Sequence, residues 1–87
     1  MDEFQLTNDP AAMQKVKRVL EELRGGKTAT VEMFSGLKYT GTFAGHREGS
    51  RSENGALVGI GGYIVLQTPV QRVRLDALDI KSWSIGH

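Results

Sequence analysis

The 87-residue chain contains no cysteine and only two histidines, and these absences limit how it can be stabilised. Disulfide bonds are excluded, and a structural zinc site is nearly excluded because zinc needs cysteine or histidine ligands. A single domain of this size buries too little surface for a wide margin of stability. Oligomerisation is the usual remaining aid, so the composition favours a multimer.

An excess of charge of one sign and long apolar runs are also lacking. The net charge is +1 at pH 7, so a nucleic acid would have to bind at a local site or through charges repeated around an oligomer. The longest apolar run, Tyr63 to Leu66, is far too short to cross a membrane. The start of the chain, Met1 to Phe4, is acidic where a signal peptide would be basic. We therefore expect a cytoplasmic protein without a membrane partner.

A helix is predicted over about residues 10–24. Asp9 can cap its first turn, and Pro10 has the fixed φ that suits the first helical position. Apolar residues recur at helical spacing on one face: Met13, Val16, Leu20 and Leu23. This pattern predicts a stripe packed on the rest of the domain. The glycine pair at 25–26 ends the helix, because glycine adopts left-handed conformations at little cost.

From Lys27 onward the periodicity changes to two, which predicts strands. The second of these carries Gly41 and Gly45 on its apolar face, where glycine indicates sharp bending or close backbone approach. Residues 46–55 are rich in polar and turn-forming residues and predict a loop. Three further strands are predicted at Ala56 to about Gln67, Val70–Leu75 and Leu78–Ile85.

These elements predict a mainly β protein: an N-terminal α-helix followed by a strongly bent five-stranded antiparallel barrel over about residues 27–85. A polar leader, residues 1–8, precedes the single domain 9–87. The third strand is apolar on both faces and needs cover from the helix or a neighbouring subunit. The last two strands are expected to keep free edges, which invite pairing with another copy.

Sequence patterns for catalysis are weak. The segment from Gly25 to Thr28 ends with the letters Gly-Lys-Thr, like a phosphate-binding loop. Such a loop needs a glycine at position 21, which is glutamate here, and it follows a strand, whereas this segment follows a helix. The glycines between Gly59 and Gly62 lack the helix that a dinucleotide-binding fingerprint needs. No nucleophile, base and acid share a suggestive spacing. We expect no enzyme, no cofactor and no metal.

The segment from Val31 to Arg47 resembles the first sequence motif of the Sm/LSm/Hfq family. Five residues fall at matching positions: Gly36, Tyr39, Gly41, Phe43 and Gly45. His46 stands where that motif prefers phenylalanine, and Arg47 where it prefers aspartate. In the second motif Arg74 and Asp76 match, whereas Leu75 replaces a glycine. The family's asparagine corresponds to Asn54 if the preceding loop carries a short insertion.

The resemblance implies a homo-oligomeric ring, in which the fourth strand of one copy pairs with the fifth strand of the next. About five to seven copies are expected. It also implies that single-stranded RNA binds near the pore, by base stacking, base-edge hydrogen bonds and arginine contacts. The implied RNA-binding residues are His46, Arg47, Arg51, Ser52, Asn54, Arg74 and Asp76.

An alternative function is a barrel that serves only protein assembly, with no RNA site. The replaced family residues and the nearly neutral charge keep this alternative open. We expect residues 46–55 to decide between the two, because they hold His46, Arg47 and Arg51 but also Glu48 and Glu53.

Overall fold

The computed structural model describes residues 4–24 and 28–86. In chain order the elements are helix α1 (Pro10–Leu23), strands β1 (Thr28–Met33), β2 (Lys38–Glu53), β3 (Ala56–Gln67) and β4 (Arg72–Asp76), a 3-10 turn (Ala77–Asp79) and strand β5 (Ile80–Ile85). The strands pair antiparallel in one sheet of order β4-β3-β2-β1-β5. The predicted fold class, a helix followed by five antiparallel strands, is confirmed. The predicted glycine stop at 25–26, Lys27 and residues 1–3 lie outside the described residues.

The start of α1 follows the prediction. The Asp9 side chain accepts a hydrogen bond from the Ala12 backbone N–H at 3.0 Å, and Pro10 is the first helical residue. This bond satisfies one of the N–H groups that have no partner within the helix. The buried face of the helix consists of Val16, Val19, Leu20 and Leu23.

One hydrophobic core joins the helix to the sheet. Val31, Ile64, Leu66 and Ile80 are fully buried in it. The helix packs mainly against β3 and the 3-10 turn, so it covers one face of the strand whose two apolar faces predicted a need for cover. Non-directional burial of this apolar surface is the main term that holds the small domain together.

The prediction of a loop over residues 46–55 is wrong. Strand β2 continues to Glu53 and forms a long hairpin with β3. Only Asn54 and Gly55 turn the chain, with φ values of 51° and 79°. An Asn-Gly pair with both φ values positive suits a two-residue hairpin turn. Backbone pairing with β3 thus keeps residues 46–53 in a strand, although many of them are polar or turn-forming. We call residues 46–60 the arm.

The connections on either side of β4 also differ from the prediction. The fourth strand begins at Arg72 rather than Val70, because Thr68 and Gln71 close a turn in which the Thr68 N–H donates to the Gln71 carbonyl at 2.8 Å. The fifth strand begins at Ile80 rather than Leu78. The Asp76 side chain accepts from the Leu78 N–H at 3.0 Å and so caps the 3-10 turn that precedes β5.

Leu20→Ala tests the packing of the helix. Leu20 is 4% exposed in the core, so its truncation should lower the free energy of unfolding by about 2–5 kcal/mol. Lys17→Ala on the exposed face is the matched control and should change it by less than about 0.5 kcal/mol. Chemical denaturation measures both. Equal losses would show that the helix does not pack through its apolar stripe.

Gly41→Ala tests the close approach of backbone in the bent sheet. A Cβ atom at Gly41 would lie 2.5 Å from the carbonyl oxygen of Gln67 and 2.8 Å from its carbonyl carbon. Because these are backbone atoms of β3, the substitution should cost about 1–3 kcal/mol of stability. Gly45→Ala is the control, since its Cβ would meet nothing within 4 Å. Melting temperatures that fall equally would contradict this assignment.

Candidate nucleic-acid interface

Three of the sequence-predicted residues come together around Tyr63. Arg47 on β2 is the register partner of Tyr63 on β3, and Tyr63 is the register partner of Asp76 on β4. Arg74 lies two residues from Asp76, and its guanidinium carbon is 5.1 Å from the centroid of the Tyr63 ring. The result is a half-exposed aromatic ring with arginines on two neighbouring strands.

Asp76 already has partners within the chain. One carboxylate oxygen accepts the Leu78 N–H at 3.0 Å, and the other accepts the Gln5 N–H at 2.7 Å. Each carboxylate oxygen therefore already accepts one backbone hydrogen bond. In this state Asp76 positions the chain rather than presenting a free carboxylate.

A cleft of about 410 Å³ adjoins the Tyr63 ring. It lies between the β1–β2 turn and the end of β4. Its aromatic and charged lining residues are Phe34, Tyr39, Tyr63, Arg74, Asp76 and Asp79. Flat rings next to an arginine are suited to hold an unpaired base, because every base has a π-face and its phosphate is anionic.

Lys15 borders the same region from the helix. Its ammonium lies 4.6 Å from the centroid of the Phe34 ring and donates to the Leu78 carbonyl at 3.4 Å. Burial lowers the pKa of Lys15, while the nearby Asp79 and Asp76 carboxylates partly oppose that shift. The local charge at this end of the sheet is therefore mixed rather than uniformly basic.

His46 lies on the other face of the arm. A bulge between Phe43 and Gly45 shifts the β2–β3 register, and the His46 ring is 5.8 Å from the Phe43 ring. His46 and Glu48 line a cleft together with Lys17 of the helix. Although adjacent in sequence, His46 and Arg47 thus belong to different surfaces, since side chains alternate across a strand.

Arg51, Ser52 and Asn54 lie towards the tip of the arm. At the usual rise along a strand, Arg51 is about 13 Å and Asn54 about 23 Å from the Arg47 position. Arg51 is 3.4 Å from the Glu53 carboxylate in an exposed ion pair. The seven predicted residues therefore do not form one site within a single chain. Asn54 also has a structural role in the hairpin turn, because its φ is positive and asparagine adopts that conformation more readily than most residues.

Two aromatic residues of the candidate site, Tyr63 and Phe4, were not predicted from the sequence. The rings of Phe4 and Tyr63 are 6.0 Å apart at an interplanar angle of 58°. Phe4 belongs to residues 4–8, which lie along the arm rather than apart from it. The pairing of Thr7 with Ile60 holds this segment, with N–H to carbonyl distances of 2.8 and 2.9 Å. No local signal in the sequence links Phe4 to a residue so distant along the chain.

Two features are absent from the described residues. Among residues 4–24 and 28–86, no group of three or more metal-ligating side chains is close enough to hold a metal ion. Within the same ranges, no helix combines the length and apolar character that crossing a bilayer requires.

Comparison with solved structures gives a match over nearly the whole chain. It superimposes with a TM-score of 0.75 on a Xanthomonas campestris protein whose crystal structure is described as adopting a novel variant of the Sm-like motif. The match covers 93% of this chain and 91% of that protein, at 16% sequence identity. The chain has an Sm-like fold. No protein-family model and no curated protein sequence matches it. The Sm-like fold agrees with the resemblance seen in the sequence and shows the architecture alone.

Proposed function

We propose that this Sm-like chain is a non-catalytic cytoplasmic protein that forms a homo-oligomeric ring and binds single-stranded RNA near the pore. The observation that carries the proposal is the Tyr63 ring, with Arg74 over it and Arg47 as its cross-strand neighbour. An aromatic platform with guanidinium groups is the chemistry that holds unpaired bases and their phosphates.

The sheet supports the ring part of the proposal. Strands β4 and β5 are the two ends of the strand order, so each presents one unpaired edge of N–H and C=O groups. Sheet edges of this kind pair readily with other strands. Pairing β4 of one copy with β5 of the next would satisfy both edges. We propose about five to seven copies around the ring.

Ring formation would also explain how a nearly neutral chain could bind RNA. One weak site per subunit, repeated by symmetry, can engage several nucleotides of one strand at once. The affinity then depends on stacking at each copy and on the local arginines rather than on net charge. The +1 charge of the chain is compatible with such binding.

The alternative of an assembly-only barrel rests on the partners that the polar groups already have. Both oxygens of Asp76 accept backbone hydrogen bonds, and Arg51 pairs with Glu53. The arm also exposes Leu57 and Val58, at 51% and 37%, and apolar surface of this kind favours protein contacts. RNA-binding measurements discriminate between the two functions.

The ring can be tested with engineered cysteines, because the chain contains none. Arg72→Cys on β4, combined with Ser82→Cys or Ser84→Cys on β5, should join neighbouring copies under mild oxidation. Non-reducing electrophoresis should then show a ladder of multiples of the 9.5 kDa chain that ends at the ring size. Each single-cysteine variant is a control and should give at most dimers. Native mass spectrometry of the parent should give the same size; a folded monomer at micromolar concentration would contradict the ring.

The RNA site can be tested by fluorescence anisotropy with labelled homopolymer RNAs at two salt concentrations. Arg74→Ala should weaken binding of every sequence and reduce the salt slope by about one for each subunit that the RNA engages, because each of those subunits loses one phosphate contact. Arg18→Ala on the helix, where Arg18 pairs with Glu22 at 3.2 Å, is the matched control. The parent should bind unpaired U-rich or A-rich RNA better than duplex DNA. No binding at tens of micromolar protein would favour the assembly-only alternative.

Asn54 can be examined in the same assay. Asn54→Ala should weaken binding mainly for the preferred base if the amide reads a base edge. Alanine also strains a turn that needs positive φ, so Asn54→Gly is included, because glycine keeps the turn and removes the amide. A loss with alanine alone would assign Asn54 to the hairpin turn rather than to RNA.

A further inference from the structure

The arm has a trough without side chains on the face that carries Tyr63. Gly49 and Gly61 are register partners across β2 and β3, and Gly59 follows on the same face. A Cβ atom at Gly49 would lie 2.9 Å from Cζ of Phe4, and one at Gly61 would lie 3.1 Å from Cδ2 of the same ring. The Gly61 Cβ would also clash with the carbonyl oxygen of Gln5. The glycines therefore leave the space that this N-terminal segment fills.

The Phe4 ring occupies a pit of defined shape. Gly49 and Gly61 form its floor, and the Tyr63 ring, 6.0 Å away, forms a wall. Arg74 lies over Tyr63 and Arg47 is its cross-strand neighbour, so the pit has cationic groups on one side. We use "the pit" for Gly49, Gly61 and Tyr63 together.

We infer that the pit is a binding site for one unpaired nucleobase, which Phe4 fills when no RNA is bound. The inference rests on the proposed RNA-binding function and assigns it a base-holding site and a competitor. A base is flat like a phenyl ring and stacks on tyrosine regardless of its sequence identity. Unlike Phe4, a nucleotide also carries a phosphate, which the arginines beside Tyr63 can attract.

Hydrogen bonds at the surface hold residues 4–8, the described part of the competing segment. Thr7 and Ile60 exchange two backbone hydrogen bonds. The Gln5 N–H donates to Asp76 at 2.7 Å, and the Gln5 side-chain amide donates to Asp79 at 2.8 Å, both at exposed positions. A short segment attached by exposed hydrogen bonds opens at low cost compared with the core.

Release of the segment would prepare the pit in two ways. The ring space becomes empty, and the carboxylate oxygen of Asp76 that accepts from Gln5 becomes available. That oxygen can then accept a hydrogen bond from the exocyclic amino group of a base. The same movement thus supplies both a stacking surface and a hydrogen-bond acceptor for the edge of a base.

Phe4→Ala is the direct test, with binding of labelled homopolymer RNA measured by anisotropy. Removing the competing ring should tighten binding at least about threefold, because a larger fraction of the protein has an open pit. The salt slope should stay that of the parent, since the substitution removes no charge. Adding Tyr63→Leu to Phe4→Ala should abolish the gain, because the stacking wall is lost. Thermal unfolding of each variant verifies that the domain remains folded.

Gly61→Ala distinguishes a base-binding pit from the alternative that residues 4–8 only cover the RNA-binding surface. The three described atoms nearest to its Cβ would belong to Gln5 and Phe4, so it should displace the segment while the arm stays paired. Hydrogen exchange at the Ile60 amide, which donates to the Thr7 carbonyl at 2.9 Å, reports that displacement. The same Cβ raises the floor of the pit, so RNA affinity should not increase.

The outcomes distinguish this inference from the proposed function. A gain with Phe4→Ala but not with Gly61→Ala supports the pit as the base site. Equal gains in both would overturn it, because the segment would then only cover the surface. RNA binding by the parent with no gain in Phe4→Ala would overturn the inference and leave the proposed function standing. No binding by the parent or by any variant would remove both.

Discussion

The pairing of β2 with β3 is the interaction on which the other features depend. It keeps residues 46–53 extended, although their composition favours turns. It also sets Gly49 opposite Gly61 and Arg47 opposite Tyr63, so both the trough and the arginine-flanked ring follow from one register. Because side chains have a period of two along a strand, a slip by one residue would send Arg47 to the face of His46. The residues that fix the β2–β3 register therefore also fix which side chains surround Tyr63.

The bulge between Phe43 and Gly45 determines which polar residues share a surface. An extra residue in one strand shifts the facing pattern of everything beyond it. Before the bulge, Tyr39, Gly41 and Phe43 face the interior. Beyond it, His46 joins the helix side and Arg47 joins the face that Phe4 covers. Sequence spacing alone could not divide the predicted RNA-binding residues in this way, because an extra residue in a strand has no distinct local signature.

The predictable parts of the fold are those specified by neighbouring residues. Asp9 and Pro10 predicted the helix start, period-two alternation predicted β1, and a stretch that is apolar on both faces predicted the extent of β3. The close approach at Gly41 followed from a glycine on an apolar strand face. The arm was missed because pairing with β3 outweighs local turn propensity, as tertiary contacts often do. The contact of Phe4 with Tyr63 was missed because it joins segments far apart in the chain.

Asp76 connects the two surfaces that the proposed function needs. It ends β4, caps the 3-10 turn before β5 and holds Gln5. Strand β4 pairs with β3 only from Tyr63 onward, whereas Thr7 pairs with Ile60 just before that point. The N-terminal segment and a neighbouring copy would therefore use different backbone groups, on β3 and on the edge of β4. A ring could close while the segment stays in place, and the segment could leave without opening the ring. Assembly and access to the pit would then be separable, and Asp76 and Asp79, which both accept hydrogen bonds from Gln5, are side chains through which each could influence the other.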